Sequence, residues 1–188
     1  MARTRGRAQG FTLVETLFVA AISAIVVGVI VAAAVAANHS FAVNQARVAS
    51  TQEARRGLEE MVREAMRAPT SELKDETGAN AWPPAGSWSG IQFRYPLTVD
   101  DDGEVEDWSE TITYTLDTDD RQLVRTDSDG GSRVVANGIT ALTVKEGDNS
   151  REMWVELTTQ KTATTNQVMQ QPLGVRVRLR NSSSGDDD

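Results

Sequence analysis

Hydrophobic and polar positions divide the chain into three regimes. Residues 11–37 are apolar apart from one ionisable side chain, Glu15. A helix of that length rises about 40 Å at ~1.5 Å per residue, enough to cross a hydrocarbon core of ~30 Å. The run is rich in small side chains, among them Ala20, Ala21, Ser23, Ala24, Gly28 and Ala32. Such residues let helices approach closely in lipid.

Residues 38–68 continue the helix but change its character. Phe41, Val48, Ala54, Leu58, Met61, Val62, Ala65 and Met66 recur largely at three- and four-residue spacings. Gln52, Glu53, Arg55, Arg56, Glu59, Glu60, Arg63 and Glu64 lie between them, the pattern of an amphipathic helix with one face on a core. Ala68-Pro69-Thr70 stops the run, so a helix from Phe11 to Arg67 would be about 85 Å long.

Residues 69–90 form a loop rich in Pro, Gly and Trp, whose Trp82 and Trp88 are expected to cover the edge of a small core. After Gly90, period-two alternation predicts strands at 91–95, 111–116, 122–125, 133–136, 142–145, 153–158 and 175–180. Turn clusters at 117–120, 127–131 and 147–149 separate them. Short connections favour antiparallel pairing. The predicted class is α+β, a long N-terminal helix packed on an antiparallel β-sheet head.

Charge narrows the candidates. The chain has 19 Lys plus Arg against 27 Asp plus Glu, a net charge of −8, which disfavours nucleic acid as a partner. The absence of cysteine removes disulfides, thiolate metal sites and thiol nucleophiles. A single histidine, His39, leaves Ser/His/Asp catalysis and a histidine metal centre without parts, and no enzyme is expected.

Arg3, Arg5 and Arg7 precede the apolar run and bias the N-terminus to the cytoplasmic side, with everything after Asn38 outside. Two export readings compete. In one, the run is a signal segment cut near Ala34-Val35-Ala36, releasing an extracellular ligand-binding domain. In the other, the run is retained as an anchor. A retained helix accounts for two features the first leaves over: the run exceeds the 7–15 residues or so of a signal core, and it carries a carboxylate that costs ~2.5–3.5 kcal/mol near mid-membrane.

The octapeptide Gly10-Phe11-Thr12-Leu13-Val14-Glu15-Thr16-Leu17 resembles the processing site of type IV prepilins and type II secretion pseudopilins. In that family a basic leader ends in glycine and a hydrophobic helix begins with phenylalanine. The resemblance implies cleavage between Gly10 and Phe11 by a prepilin peptidase, N-methylation of the new Phe11 amine, and retention of the helix. It also implies an assembly role for Glu15 and Phe11, the acid of one subunit meeting the N-terminal amine of its neighbour. Many pilins carry a mid-helix proline, which this sequence lacks; Gly28 is its only helix-weakening residue there.

The expected organisation is a removed leader at 1–10, a transmembrane and assembly helix at 11–37, its amphipathic continuation at 38–68, and a β head at 69–188 with a disordered acidic tail at 182–188. The implied partners are the prepilin peptidase, other pilin or pseudopilin subunits, the inner-membrane assembly platform and membrane lipid. The implied location is the cytoplasmic membrane, single-pass, and then a pilus or pseudopilus. The strand order Ile112-Thr113-Tyr114-Thr115-Leu116, Gln122-Leu123-Val124-Arg125, Val134 to Ile139 and Val177-Arg178-Leu179-Arg180-Asn181 is similar to the minor pseudopilin J and minor pilin PilW group, which implies a low-abundance subunit.

Two further clusters invite chemistry. Asp100, Asp102, Glu104 and Asp107 offer oxygen ligands for an irregular calcium site, the only cofactor entertained. An EF-hand is excluded because Thr98 and Ser109 stand where its first acid and closing glutamate belong. The alternative is a solvated hairpin tip. Arg176, Arg178 and Arg180 alternate with Val175, Val177 and Leu179, giving one strand a basic face. Acids on adjacent strands are expected to balance it.

Overall fold

The computed structural model describes residues 12–163 and 166–179. Helix α1 runs Leu13–Ala65, 53 residues without interruption. The chain divides into two compact units, Met1–Ala42 and Val43–Asp188.

Within the second unit α1 presents Ser50, Ala54, Gly57, Leu58, Met61 and Ala65 as buried positions, the three- and four-residue spacing of one helix face. Phe41 and Val48, assigned to that face from the sequence, are instead 64% and 55% exposed. Spacing alone cannot tell where along a helix its packing partner begins.

Among the described residues ten strands follow: β1 (Ser87–Trp88), β2 (Ile91–Phe93), β3 (Pro96–Val99), β4 (Val105–Trp108), β5 (Ile112–Asp117), β6 (Gln122–Asp127), β7 (Ser132–Asn137), β8 (Ile139–Glu146), β9 (Glu152–Thr162) and β10 (Val168–Arg178). The expected α+β class holds, but the head contains more than one sheet. Strands β2-β5-β6-β7 form one four-stranded sheet, β1-β8-β9-β10 another, and β3-β4 a separate two-stranded ribbon. All pairings are antiparallel.

The split occurs at Gly138, the one residue between β7 and β8, whose φ of +71° suits glycine. Its carbonyl accepts from the Gln160 N–H at 2.7 Å, and the next amide, Ile139 N–H, donates to Arg121 O at 2.8 Å. These two bonds hold the corner where the chain leaves the first sheet and enters the second.

One apolar cluster joins the helix to both sheets. Leu58, Met61 and Ala65 of α1 meet Phe93, Tyr114 and Leu123 of the first sheet and Val144, Val155 and Leu157 of the second. Trp82 and Trp88 meet edge to face at 5.7 Å between ring centres. Trp88 is buried in this cluster and Trp82 packs against it, as expected of the loop tryptophans.

Candidate assembly site

Gly10 and Phe11, the expected processing residues, lie outside the described residues. The next residue begins the site. The Glu15 N–H donates to Thr12 Oγ1 at 3.3 Å, while the Thr16 N–H and hydroxyl both donate to the Thr12 carbonyl at 3.1 Å. Thr12 is therefore the N-cap of α1, and Glu15 is its third helical residue. Thr-x-x-Glu ahead of an apolar run is a helix-start signature, and an acid in the first turn faces the positive end of the helix dipole. Sequence reasoning missed Thr12, although that spacing was there to be read.

From this cap the helix exposes its apolar side chains. Leu13, Val14, Leu17, Phe18, Ile22 and Ile25 are each more than half exposed. Gly28 sits within the unbroken helix, and a Cβ there would meet nothing within 4 Å. By length and composition α1 is long and apolar enough to cross a membrane. A contiguous apolar surface of this size calls for lipid or other helices around it.

In the second unit, helix acids are spent on the first sheet. Glu64 Oε2 accepts from the Tyr114 hydroxyl at 2.8 Å and from Arg125 Nε at 2.9 Å. Tyr114 and Arg125 are direct cross-strand partners, so one carboxylate clamps two strands. Arg125 also pairs with Asp127, Nη1 to Oδ1 at 2.5 Å, and one turn earlier Glu60 pairs with Arg133. Burial and then the Glu64 contact push the Tyr114 phenol well above its usual range. Burial disfavours charge on Arg125, but its bonds to Glu64 and Asp127 outweigh that and raise its pKa.

The four calcium candidates lie on or beside the ribbon. Asp100 Oδ1 accepts from the amides of Asp102 at 3.1 Å and Glu104 at 2.7 Å, shaping the tip. Asp102, Glu104 and Asp107 are exposed. Among the described residues no three His, Cys, Asp or Glu side chains come together as a metal would need. On β10, Arg176 Nη1 pairs with Asp148 Oδ2 at 2.6 Å and Glu152 Oε2 at 3.7 Å, while Arg178 is exposed and Arg180 lies outside the described residues.

Residues 5–36 match the family model of the prokaryotic N-terminal methylation motif. No curated protein and no solved structure shows a significant match to the chain. The matched segment holds Arg5, Arg7, the glycine–phenylalanine junction, the capped acid and most of the apolar helix, and a motif of this kind indicates a structural subunit. This motif, on a long apolar helix followed by antiparallel sheets, supports a subunit of the type IV pilin or pseudopilin type.

Proposed function

We propose that this chain is a subunit of a type IV pilus or type II secretion pseudopilus, cleaved after Gly10 by a prepilin peptidase and polymerised through α1. Before assembly it spans the cytoplasmic membrane once, with its N-terminus inside. Cleavage makes the Phe11 amine a cation at the start of a helix whose only acid across residues 13–37 is Glu15. Paired within lipid, the two charges lower each other's cost of burial. The amine of one subunit meeting Glu15 of the next would set the axial step of the polymer.

One observation carries this reading: an acid in the first turn of a membrane-length helix, in register with the processing motif. Mass spectrometry of the mature N-terminus tests it. A chain beginning at Phe11, with the mass of an added methyl group, is expected. A start near Ala37 or Asn38 would mean the helix had been discarded as a signal peptide, and the polymer reading would fall.

A further inference from the structure

The head is acidic, yet its charges are segregated. Between Arg94 and Arg121 the sequence contains no lysine or arginine, and this stretch builds the β3-β4 ribbon. The ribbon is an excursion from the β2/β5 pair, Phe93 lying opposite Ile112, and it joins neither sheet. Its base is closed by the Ser109 N–H donating to Tyr95 O at 2.8 Å and by Arg94 stacked over Trp108 at 4.5 Å. Beyond that base, Leu97 and Val99 are 56% and 53% exposed. Asp101, Asp102, Glu104, Glu106 and Asp107 are exposed and, among the described residues, none is in an ion pair.

The complementary surface lies on the helix. Because Glu60 and Glu64 turn toward the first sheet, the opposite side of α1 in the second unit keeps its arginines. Gln52, Arg55, Arg56, Glu59 and Arg63 are its exposed residues from 51 to 65. Arg55 makes only a loose 3.9 Å contact with Glu59; Arg56 and Arg63, two turns apart, have no ion-pair partner among the described residues. Burying such a face against an acidic surface would pair charges that are now merely solvated.

We propose that the acidic ribbon of one copy docks on the Arg55, Arg56 and Arg63 face of α1 in a second copy. The two surfaces are different patches of one chain, so the contact can repeat head-to-tail along a polymer. This rests on the filament reading above and names the surfaces that the heads use within it. Leu97 and Val99 supply the apolar part of the contact, and the charges supply steering and salt sensitivity.

The natural absence of cysteine makes the test clean. Full-length Asp102→Cys and Arg56→Cys copies, differently tagged and produced together, are oxidised in membranes. Arg63→Cys replaces Arg56→Cys in a parallel set. A mixed disulfide dimer is expected about tenfold above either like pairing, falling several-fold at ~1 M salt, where the Debye length is ~3 Å. Asp101→Lys with Glu104→Lys should abolish it, and Arg55→Glu with Arg63→Glu, in the Arg56→Cys partner, should restore it. Mixed dimers no more abundant than like pairs, or indifferent to charge reversal, in chains that begin at Phe11 would overturn the docking proposal and leave the filament reading standing. A different mature N-terminus would overturn the filament reading itself.

Discussion

The Tyr114 hydroxyl donates to Glu64 Oε2 at 2.8 Å, and Arg125, opposite Tyr114 on the next strand, reaches the same oxygen at 2.9 Å. The clamp sets helix register against the first sheet, because a shift of α1 by one residue would carry Glu64 off this face. Removing the phenol leaves the carboxylate with its arginine, so Tyr114→Phe should cost about 1–2 kcal/mol. Arg125→Met strands Glu64 and Asp127 together and should cost more, about 2–3 kcal/mol. Urea unfolding of the full chain in detergent gives both numbers; equal effects, or none, would show the clamp to be ornamental.

Gly57 permits the close approach that the clamp locks. A Cβ at this position would lie 2.8 Å from Ala136 Cβ and 3.2 Å from Leu123 Cδ2, so α1 rests on β6 and β7 through backbone. Glycine inside a helix costs ~1 kcal/mol relative to alanine; Gly57→Ala should nonetheless destabilise the head by about 1–3 kcal/mol through overpacking. Gly28→Ala, where the new methyl meets nothing within 4 Å, should leave head stability unchanged. Ala136→Gly in the Gly57→Ala background should recover part of the loss. The same unfolding measurement decides, and a stabilised Gly57→Ala protein would contradict the packing described.

These two positions mark where the sequence was legible and where it was not. Leu58, Met61 and Ala65 announce the buried helix face by their spacing, and all three are core residues. Gly57 beside them reads only as a weak point, because close approach is a property of the surface opposite. Glu60 and Glu64 read as part of a solvated stripe; their partners Arg133 and Arg125 are remote in sequence, and no local period encodes such pairing. Proline at the start of β3 and acids throughout β4 hid the ribbon, since both argue against strand. The division into two sheets hinges on one glycine, Gly138, whose positive φ is invisible in the sequence. At the membrane end the apolar run and its acid are plain in the sequence, whereas the cap role of Thr12 needs the backbone geometry to become visible.

Asp75 ties the stability of the head to pH. This carboxylate is buried, which opposes its charge. Hydrogen bonds from the Asn80 and Thr77 side chains and from the amides of Asn80 and Ala79 outweigh burial and bring its pKa from 3.8 down to about 2. A pKa depressed in the folded state stabilises above the unfolded value and loses that contribution as pH falls through the folded one. The Asp75 contribution is therefore complete above about pH 4 and disappears as pH approaches 2. Asp75→Asn should be less stable than the parent at pH 7, with the gap narrowing between pH 4 and 2. Thermal melts across that range read the effect, and a pH-independent gap would contradict it.

Thr12 and Glu15 make separable predictions at the start of α1. The Glu15 N–H to Thr12 Oγ1 bond is a cap, and losing a threonine cap costs ~1 kcal/mol of helix stability. Thr12→Ala should fray the first turn, misplace the acid and reduce the sheared filament fraction, while Thr12→Ser, which keeps the hydroxyl, should restore it. Glu15→Ala removes a charge that costs ~2.5–3.5 kcal/mol to insert; membrane insertion should be preserved or improved while filament output is lost. Glu15→Gln separates charge from hydrogen bonding, because the amide keeps the shape and cannot neutralise the Phe11 amine. Filament output from Glu15→Gln as low as from Glu15→Ala is expected. Comparing membrane and sheared fractions by immunoblot gives each outcome, and wild-type filament yield from Glu15→Gln would mean that the acid serves the helix start rather than a neighbouring subunit's cation.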